Sequence, residues 1–379
     1  MTAMGRKSAA KPSYLFVIAS SSQMYSGTGT AIYDWIGYAK DHFEFAILID
    51  TLHQTNFDHA RDFCDRQGIE LIGSSSYPLP GCPDSGVRGV ADVLAQRTFD
   101  FVECVSWANA ATNLAVLTSL GPGSRLLYTP HTQPLWTLGE PTRFPMVAHV
   151  FHQMLARSSA VFLDTPSEAR LSLFDGSEAA ALHVVPLGVD LARFRDEGVH
   201  RRNQLLCVCD CRETRKRVDL LMKAFELAYQ SNPRLRLTLA GKGSEQVAVP
   251  AELKSAVTAL GYIDEAQLEA LYRECALFVL LSDFEAFGLP IAEALCSGAA
   301  VLLNEQDATR DLFSGLPGVT WVENTKTADV ARLMGEIRPG KRDHARIARA
   351  AASRFNFDQT YGRKLEIVRS LLGDRHEAA

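Results

Sequence analysis

The chain has 379 residues, 47% of them apolar and 22% charged, an ordinary globular balance with enough length for two separate cores. Its 39 basic residues against 44 acidic ones leave a net charge of −5, which argues against a dedicated nucleic-acid binder. No apolar run is long enough to span a bilayer and no signal peptide is visible, so a cytoplasmic protein is expected.

In chain order, residues 1–12 are polar and basic and read as a loose tail. Tyr14-Leu-Phe-Val-Ile-Ala19 predicts a strand, and the apolar spacing of Thr30 to Ala39 predicts a helix. Between them lies a loop carrying Gly27 and Gly29. Strands are expected at 43–49, 99–105, 125–128 and 160–163, and Ser167 reads as an N-cap. Helix 144–157 is amphipathic: it either packs on a sheet, the favoured reading, or touches a membrane surface. This is a βαβ succession and implies a mainly parallel α/β sheet.

Pro186 and Gly188 break regular structure near Val184 to Phe194, and a second βα series follows. It comprises strand 204–209, helix 218–229, strand 235–240, a helix around 267–275, strand 275–282 and strand 299–303. The eight cysteines lie mostly in apolar segments, which fits a reducing compartment. Cys207, Cys209 and Cys211 alternate along a strand, so they read as thiols on one face rather than as tetrahedral metal ligands. No metal site is expected.

The richest stretch is Ser282-Asp-Phe-Glu-Ala-Phe-Gly-Leu-Pro-Ile-Ala-Glu293. A buried strand, a glycine-containing loop and a helix start put free amides and a positive dipole end at a sheet's carboxyl edge, where α/β sheets bind anions. The carboxylates of Glu285 and Glu293 suit neutral hydroxyls instead, so the expected ligand combines phosphate with sugar. The whole run resembles the signature of retaining glycosyltransferases of the GT-B fold, the "group 1" or GT4 family.

That resemblance implies two Rossmann-like domains facing each other across a cleft. Residues 1–183 would form the acceptor side and 184–356 the nucleotide-sugar domain, with helix 357–379 packing back on the first. It implies that Glu285 touches the transferred sugar and Glu293 the ribose, while Phe287, Gly288, Leu289, Pro290 and Ile291 frame the diphosphate. Lys216 occupies the family's phosphate-clamping position; the partner arginine is displaced by one residue to Arg212, with Arg215 or Arg217 as substitutes. Gly241 and Gly243 would approach the nucleotide, and Tyr262 and Ile263 either meet the base or simply pack. His131 would face the sugar, Gly27 and Gly29 the donor phosphate, and Trp107, Asn109 and Trp136 the acceptor.

The implied activity is retaining hexosyl transfer from a UDP- or GDP-sugar to a glycan, glycolipid or other hydroxyl acceptor, in surface-polysaccharide or glycoconjugate synthesis. The donor is a co-substrate; no cofactor or metal is called for, because the chain has no Asp-x-Asp triplet. Two rivals stand beside it. Glu305-Gln-Asp-Ala-Thr-Arg-Asp311 lacks the Gly-Gly that relatives often carry, which suits a non-catalytic nucleotide-sugar binder. Gly27-Thr-Gly29 with Asp50 imitates the fingerprint of an NAD-linked dehydrogenase, though its loop is long and its third glycine missing.

Overall fold

A computed structural model describes residues 10–19, 26–50, 57–74, 89–105, 110–131, 145–172, 182–199, 201–322, 326–337 and 340–373. The loose tail lies largely, and Trp107, Asn109 and Trp136 wholly, outside the described residues. The chain divides into two compact units, one of residues 1–164, 168–185 and 361–379, the other of 165–167 and 186–360.

The first unit holds β1 (Ser13–Ile18), α1 (Gly27–Ala39), β2 (Glu44–Asp50), α2 (Phe57–Gln67), β3 (Glu70–Ser74), α3 (Val90–Gln96) and β4 (Phe101–Val105). It continues through α4 (Ala110–Ser119), β5 (Arg125–Thr129), α5 (Pro145–Arg157), β6 (Ala160–Leu163), most of α6 (Pro166–Ser172) and β7 (Leu182–Val184). The seven strands are parallel in the order β3-β2-β1-β4-β5-β6-β7. Nearly continuous burial of β1, β4, β5 and β6 is what a parallel sheet covered on both faces requires. The apolar face of α5 is spent on this core: Val150, Phe151, Met154 and Leu155 are buried with Leu126, Tyr128, Val161 and Leu163. Its amphipathicity is thus a packing signal.

One charge sits deep in this unit. Glu103, 1% exposed, accepts from the Tyr14 and Thr129 hydroxyls and from Lys364 Nζ at 2.8 and 3.0 Å. Lys364 belongs to the last helix, and its ammonium also lies over Trp35 and Phe162 at 4.9 and 4.7 Å from the ring centroids. A buried carboxylate is tolerable only with such a full set of partners.

The second unit holds β8 (Arg201–Val208), α7 (Val218–Ser231), β9 (Arg236–Ala240), β10 (Val257–Ala259), α8 (Glu265–Glu274), β11 (Cys275–Leu280) and α9 (Leu289–Cys296). Then come β12 (Ala300–Asn304), α10 (Asp307–Phe313), β13 (Val319–Val322), α11 (Thr327–Glu336), α12 (Lys341–Phe355) and the start of α13 (Phe357–Gly373), whose remainder from Tyr361 belongs to the first unit. Its six parallel strands run β10-β9-β8-β11-β12-β13. Numbered within the unit this is 3-2-1-4-5-6, the doubly wound order, and its direction reverses between β8 and β11. Asp264 caps α8 by accepting from Gln267 N at 2.8 Å, and Gln267 returns a bond to the Asp264 amide, so a capping box sets that helix's start.

Three expectations need correction. Gly27 and Gly29 stand in the first turn of α1 rather than in a loop, and a Cβ at Gly27 would meet nothing within 4 Å. The helix simply begins earlier than its apolar periodicity. Ser167 lies inside α6, whose cap position is Thr165; its amide donates to Asp311 Oδ2 at 2.6 Å. Strand β8 ends at Val208, so Cys209 and Cys211 lie beyond it.

Candidate functional site

The order reversal between β8 and β11 marks where a doubly wound sheet opens a crevice at its carboxyl edge. The loop after β8 carries the cationic turn and the loop after β11 carries the acidic stretch. Lys216 Nζ donates to Glu285 Oε1 at 2.6 Å, both side chains being about nine-tenths buried, at 11% and 10% exposure.

Three further bonds join the same two loops. Asp283 N donates to Arg215 O at 2.8 Å, Arg215 Nη1 to Phe284 O at 2.9 Å, and Arg217 Nη1 to Asp283 Oδ1 at 2.8 Å. The other edge loops are tied in as well, Cys211 N to Lys242 O and Gly241 N to Gly261 O, both at 2.8 Å. Arg217 ends a short 3-10 turn, Thr214–Lys216, with φ of 52°. Such strain at a non-glycine residue is held by its surroundings and concentrates at functional sites.

Arg212 is not part of this constellation. Its Nε and Nη2 grip Asp210 at 2.9 and 2.6 Å, and it is largely solvent-facing. That grip holds the Asp210 carboxyl below the usual range. The carboxylate two residues back takes the guanidinium, while Arg215 and Arg217 brace the acidic loop. The Arg212 stem also lies against Gly243, where a Cβ would meet its Cγ at 2.4 Å.

Two more glycines are demanded by geometry. Gly241 has φ of 112°, and a Cβ there would sit 2.1 Å from Cys209 O. Gly288 caps α9 with φ of 84°, and its Cβ would meet Ile291 Cδ1 at 2.7 Å. Around it Phe287, Leu289 and Ile291 are buried, so they present backbone and not side chains. Not all of those amides remain. Pro290 has none, and Ile291 N already donates to Gly288 O at 2.8 Å, which leaves the Gly288 and Leu289 amides unconsumed by the helix.

Glu293 lies on α9, 6% exposed, and faces the buried Tyr272, whose phenol is pushed up by burial and then by the charge of Glu293. Tyr262 is 61% exposed and Ile263 half-buried, in the loop between β10 and α8. Burial and then Glu265 still raise the Tyr262 phenol.

Within the first unit, His131 follows β5 with φ of 51°, and its Nδ1 lies 3.1 Å from Oδ2 of the buried Asp164. Asp164 N in turn donates to Glu168 Oε2 at 2.6 Å. His131 and Arg217 are the two non-glycine residues with left-handed φ among the described residues. Asp164 leaves one signal in the sequence, a carboxylate ending an apolar strand.

The three sulfurs of Cys207, Cys209 and Cys211 form a row with 3.8 Å between neighbours, although only Cys207 lies in the strand. Among the described residues no group of three or more His, Cys, Asp or Glu side chains is arranged to hold a metal ion.

A parallel-sheet Rossmann-like unit, followed by a second whose edge loops join a lysine to a buried carboxylate, defines a protein of the GT-B class. The family models agree: "Glycosyl transferase 4-like domain" matches residues 27–188 and "Glycosyl transferases group 1" matches residues 192–353. The chain belongs to the group 1, or GT4, glycosyltransferase family.

A mannosylfructose-phosphate synthase from Agrobacterium fabrum is 26% identical over 215 residues, 47% of each chain. A GDP-mannose:cellobiosyl-diphosphopolyprenol alpha-mannosyltransferase from Xanthomonas campestris is 26% identical over 257 residues, 63% of each. The matches thus span between about half and just under two thirds of these curated relatives. The crystal structure of Anabaena Alr3699/HepE in complex with UDP and glucose shares the fold with a TM-score of 0.75 at 17% identity, over 95% of this chain and 100% of that one.

Proposed function

We propose that the protein moves a hexose-type sugar from a UDP- or GDP-sugar to a hydroxyl acceptor, with retention at the anomeric carbon and without a metal ion. The observation that carries this reading is the Lys216–Glu285 pair at the order reversal of the second sheet. One partner suits a phosphate and the other a sugar hydroxyl, and a donor presents both groups side by side.

When donor enters, Lys216 exchanges Glu285 for a diphosphate oxygen, and Glu285 accepts from a sugar hydroxyl. The Gly288 and Leu289 amides and the N-terminal end of α9 add fixed positive potential where the leaving group gains charge. Glu293 holds the ribose, and His131 hydrogen-bonds a sugar hydroxyl. The bond from the anomeric carbon to the phosphate oxygen breaks and one to the acceptor oxygen forms on the same face. The acceptor's proton passes to the departing diphosphate. No Asp-x-Asp triplet exists for a metal, and the cationic turn supplies the charge instead.

Names among the relatives support both donor bases, since one structure holds UDP and glucose and one relative is a GDP-mannose enzyme. The polyprenol-linked acceptor in that relative's name supports a glycan or lipid-linked acceptor in glycoconjugate synthesis. Seven described cysteines, all free thiols, support a reducing cytoplasm.

Incubation with UDP-glucose and GDP-mannose, followed by NMR of the product anomer, tests the reading. Transfer with retention is expected, and its rate should collapse in Glu285→Ala and Lys216→Ala proteins that still fold; near-native rates in both variants would overturn the reading. A second reading, a non-catalytic nucleotide-sugar binder, draws on the diversion of Arg212 to Asp210. Measurable donor hydrolysis or transfer excludes it.

A further inference from the structure

Gln306 occupies the N-cap position of α10, yet its side chain makes no capping bond to that helix. An N-cap side chain ordinarily accepts from the free amides of its own first turn. This one is turned away, onto the acidic loop. Its Oε1 accepts from Glu285 N at 2.6 Å and its Nε2 donates to Ser282 O at 3.1 Å. Asn304 Nδ2 donates to the same Ser282 carbonyl at 3.2 Å.

The primary amide therefore closes a bridge across Ser282, Asp283, Phe284 and Glu285, one end on a carbonyl and the other on an N–H. The inner groups of that segment, Asp283 N and Phe284 O, are held by Arg215. Four consecutive residues thus have their backbone fixed by two partners, Gln306 and Arg215, and Glu285 is the last of them. Its carboxylate can only be as well placed as this backbone, since Glu285 is buried and reaches Lys216 from there.

We infer that Gln306 is a positioning residue, which fixes the backbone of Glu285 so that its carboxylate meets the donor sugar. The inference rests on the proposed role of Glu285. It also gives a physical role to a residue of the Glu305 to Asp311 stretch, which lacks Gly-Gly: a side-chain amide braces the loop here. Glutamine suits the task because it offers an acceptor and a donor on one planar group whatever the pH.

The test uses Gln306→Met, of nearly the same shape but without the bonds, and Gln306→Ala. In both, kcat for UDP-glucose or GDP-mannose turnover is expected to fall about tenfold or more, the scale on which small misplacements act. The dissociation constant for UDP or GDP alone should stay within about twofold, because the sugar contact is what moves. In a Glu285→Ala background, Gln306→Met should add less than about a further twofold, the mark of two residues acting through one contact. Full additivity, or an unchanged kcat, would overturn the inference. Amide exchange across 282–287 gives an answer independent of turnover: it should quicken in Gln306→Met, and unaltered exchange would also overturn the proposal. If Glu285→Ala itself retains wild-type turnover, the site reading fails instead, and the exchange result still decides whether Gln306 braces the loop.

Discussion

Lys216 and Glu285, separated by 69 residues in sequence, meet at 2.6 Å with about nine-tenths of each side chain buried. Without a donor the two charges satisfy each other, so the cation and the carboxylate are stored in the site as a neutral pair. Removing one partner strands the other. Lys216→Ala and Glu285→Ala are each expected to destabilise the fold by about 1–3 kcal/mol. The double variant should cost less than the sum by at least about 0.5 kcal/mol. Urea denaturation of the three proteins measures this, and strict additivity would show the pair to be idle.

His131 carries backbone strain of about 1 kcal/mol or more that glycine would not feel. His131→Gly should therefore leave unfolding free energy within about 1 kcal/mol of wild type, the lost bond to Asp164 offsetting the relieved strain. Transfer should nonetheless fall by about tenfold or more if the imidazole works on the donor. A variant that is both stable and fully active would remove His131 from the site.

Lys364→Met leaves Glu103 buried with two hydroxyl donors and no counter-charge. A loss of about 3–5 kcal/mol is expected. Adding Glu103→Gln should restore a good part of it, because the stranded charge is gone. Thermal melts of the single and double variants decide, and a single variant that melts like wild type would contradict the described network.

The thiols predict an alkaline limit. Burial lifts Cys64 to about 12, and hydrogen bonding within the row followed by burial lifts Cys211. A folded-state pKa raised above the unfolded value near 8.5 means that the native protein holds its protons longer. The stability from these groups is complete below about pH 8.5 and declines as pH rises above it. Urea midpoints between about pH 8 and pH 10 should drop, and native iodoacetamide labelling should lag far behind that of the unfolded chain. A midpoint that rises with pH would contradict the assignment.

Much of the second unit was legible because its signals are local. The run Cys275 to Leu280 is apolar at every position and buried at every position, and Gly288-Leu-Pro announces a helix start with a left-handed cap. Lys216 could be placed by its distance from the Val218 helix start. Arg212 could not, because its destination depends on Asp210 outcompeting a site elsewhere. Short or partly polar edge strands such as Leu182–Val184 carry too little pattern to be read. Gln306 was invisible for another reason: its targets are backbone atoms 21 and 24 residues away, and backbone groups leave no trace in residue identity.

The bonds that run from loop to loop along the carboxyl edge of the second sheet have a thermodynamic corollary. Segments already fastened to one another surrendered their conformational freedom when the chain folded, so a nucleotide arriving there has little left to immobilise. Calorimetry should then find its association with this unit nearly free of an ordering penalty, as for a rigid receptor and not for a region that sets around its ligand.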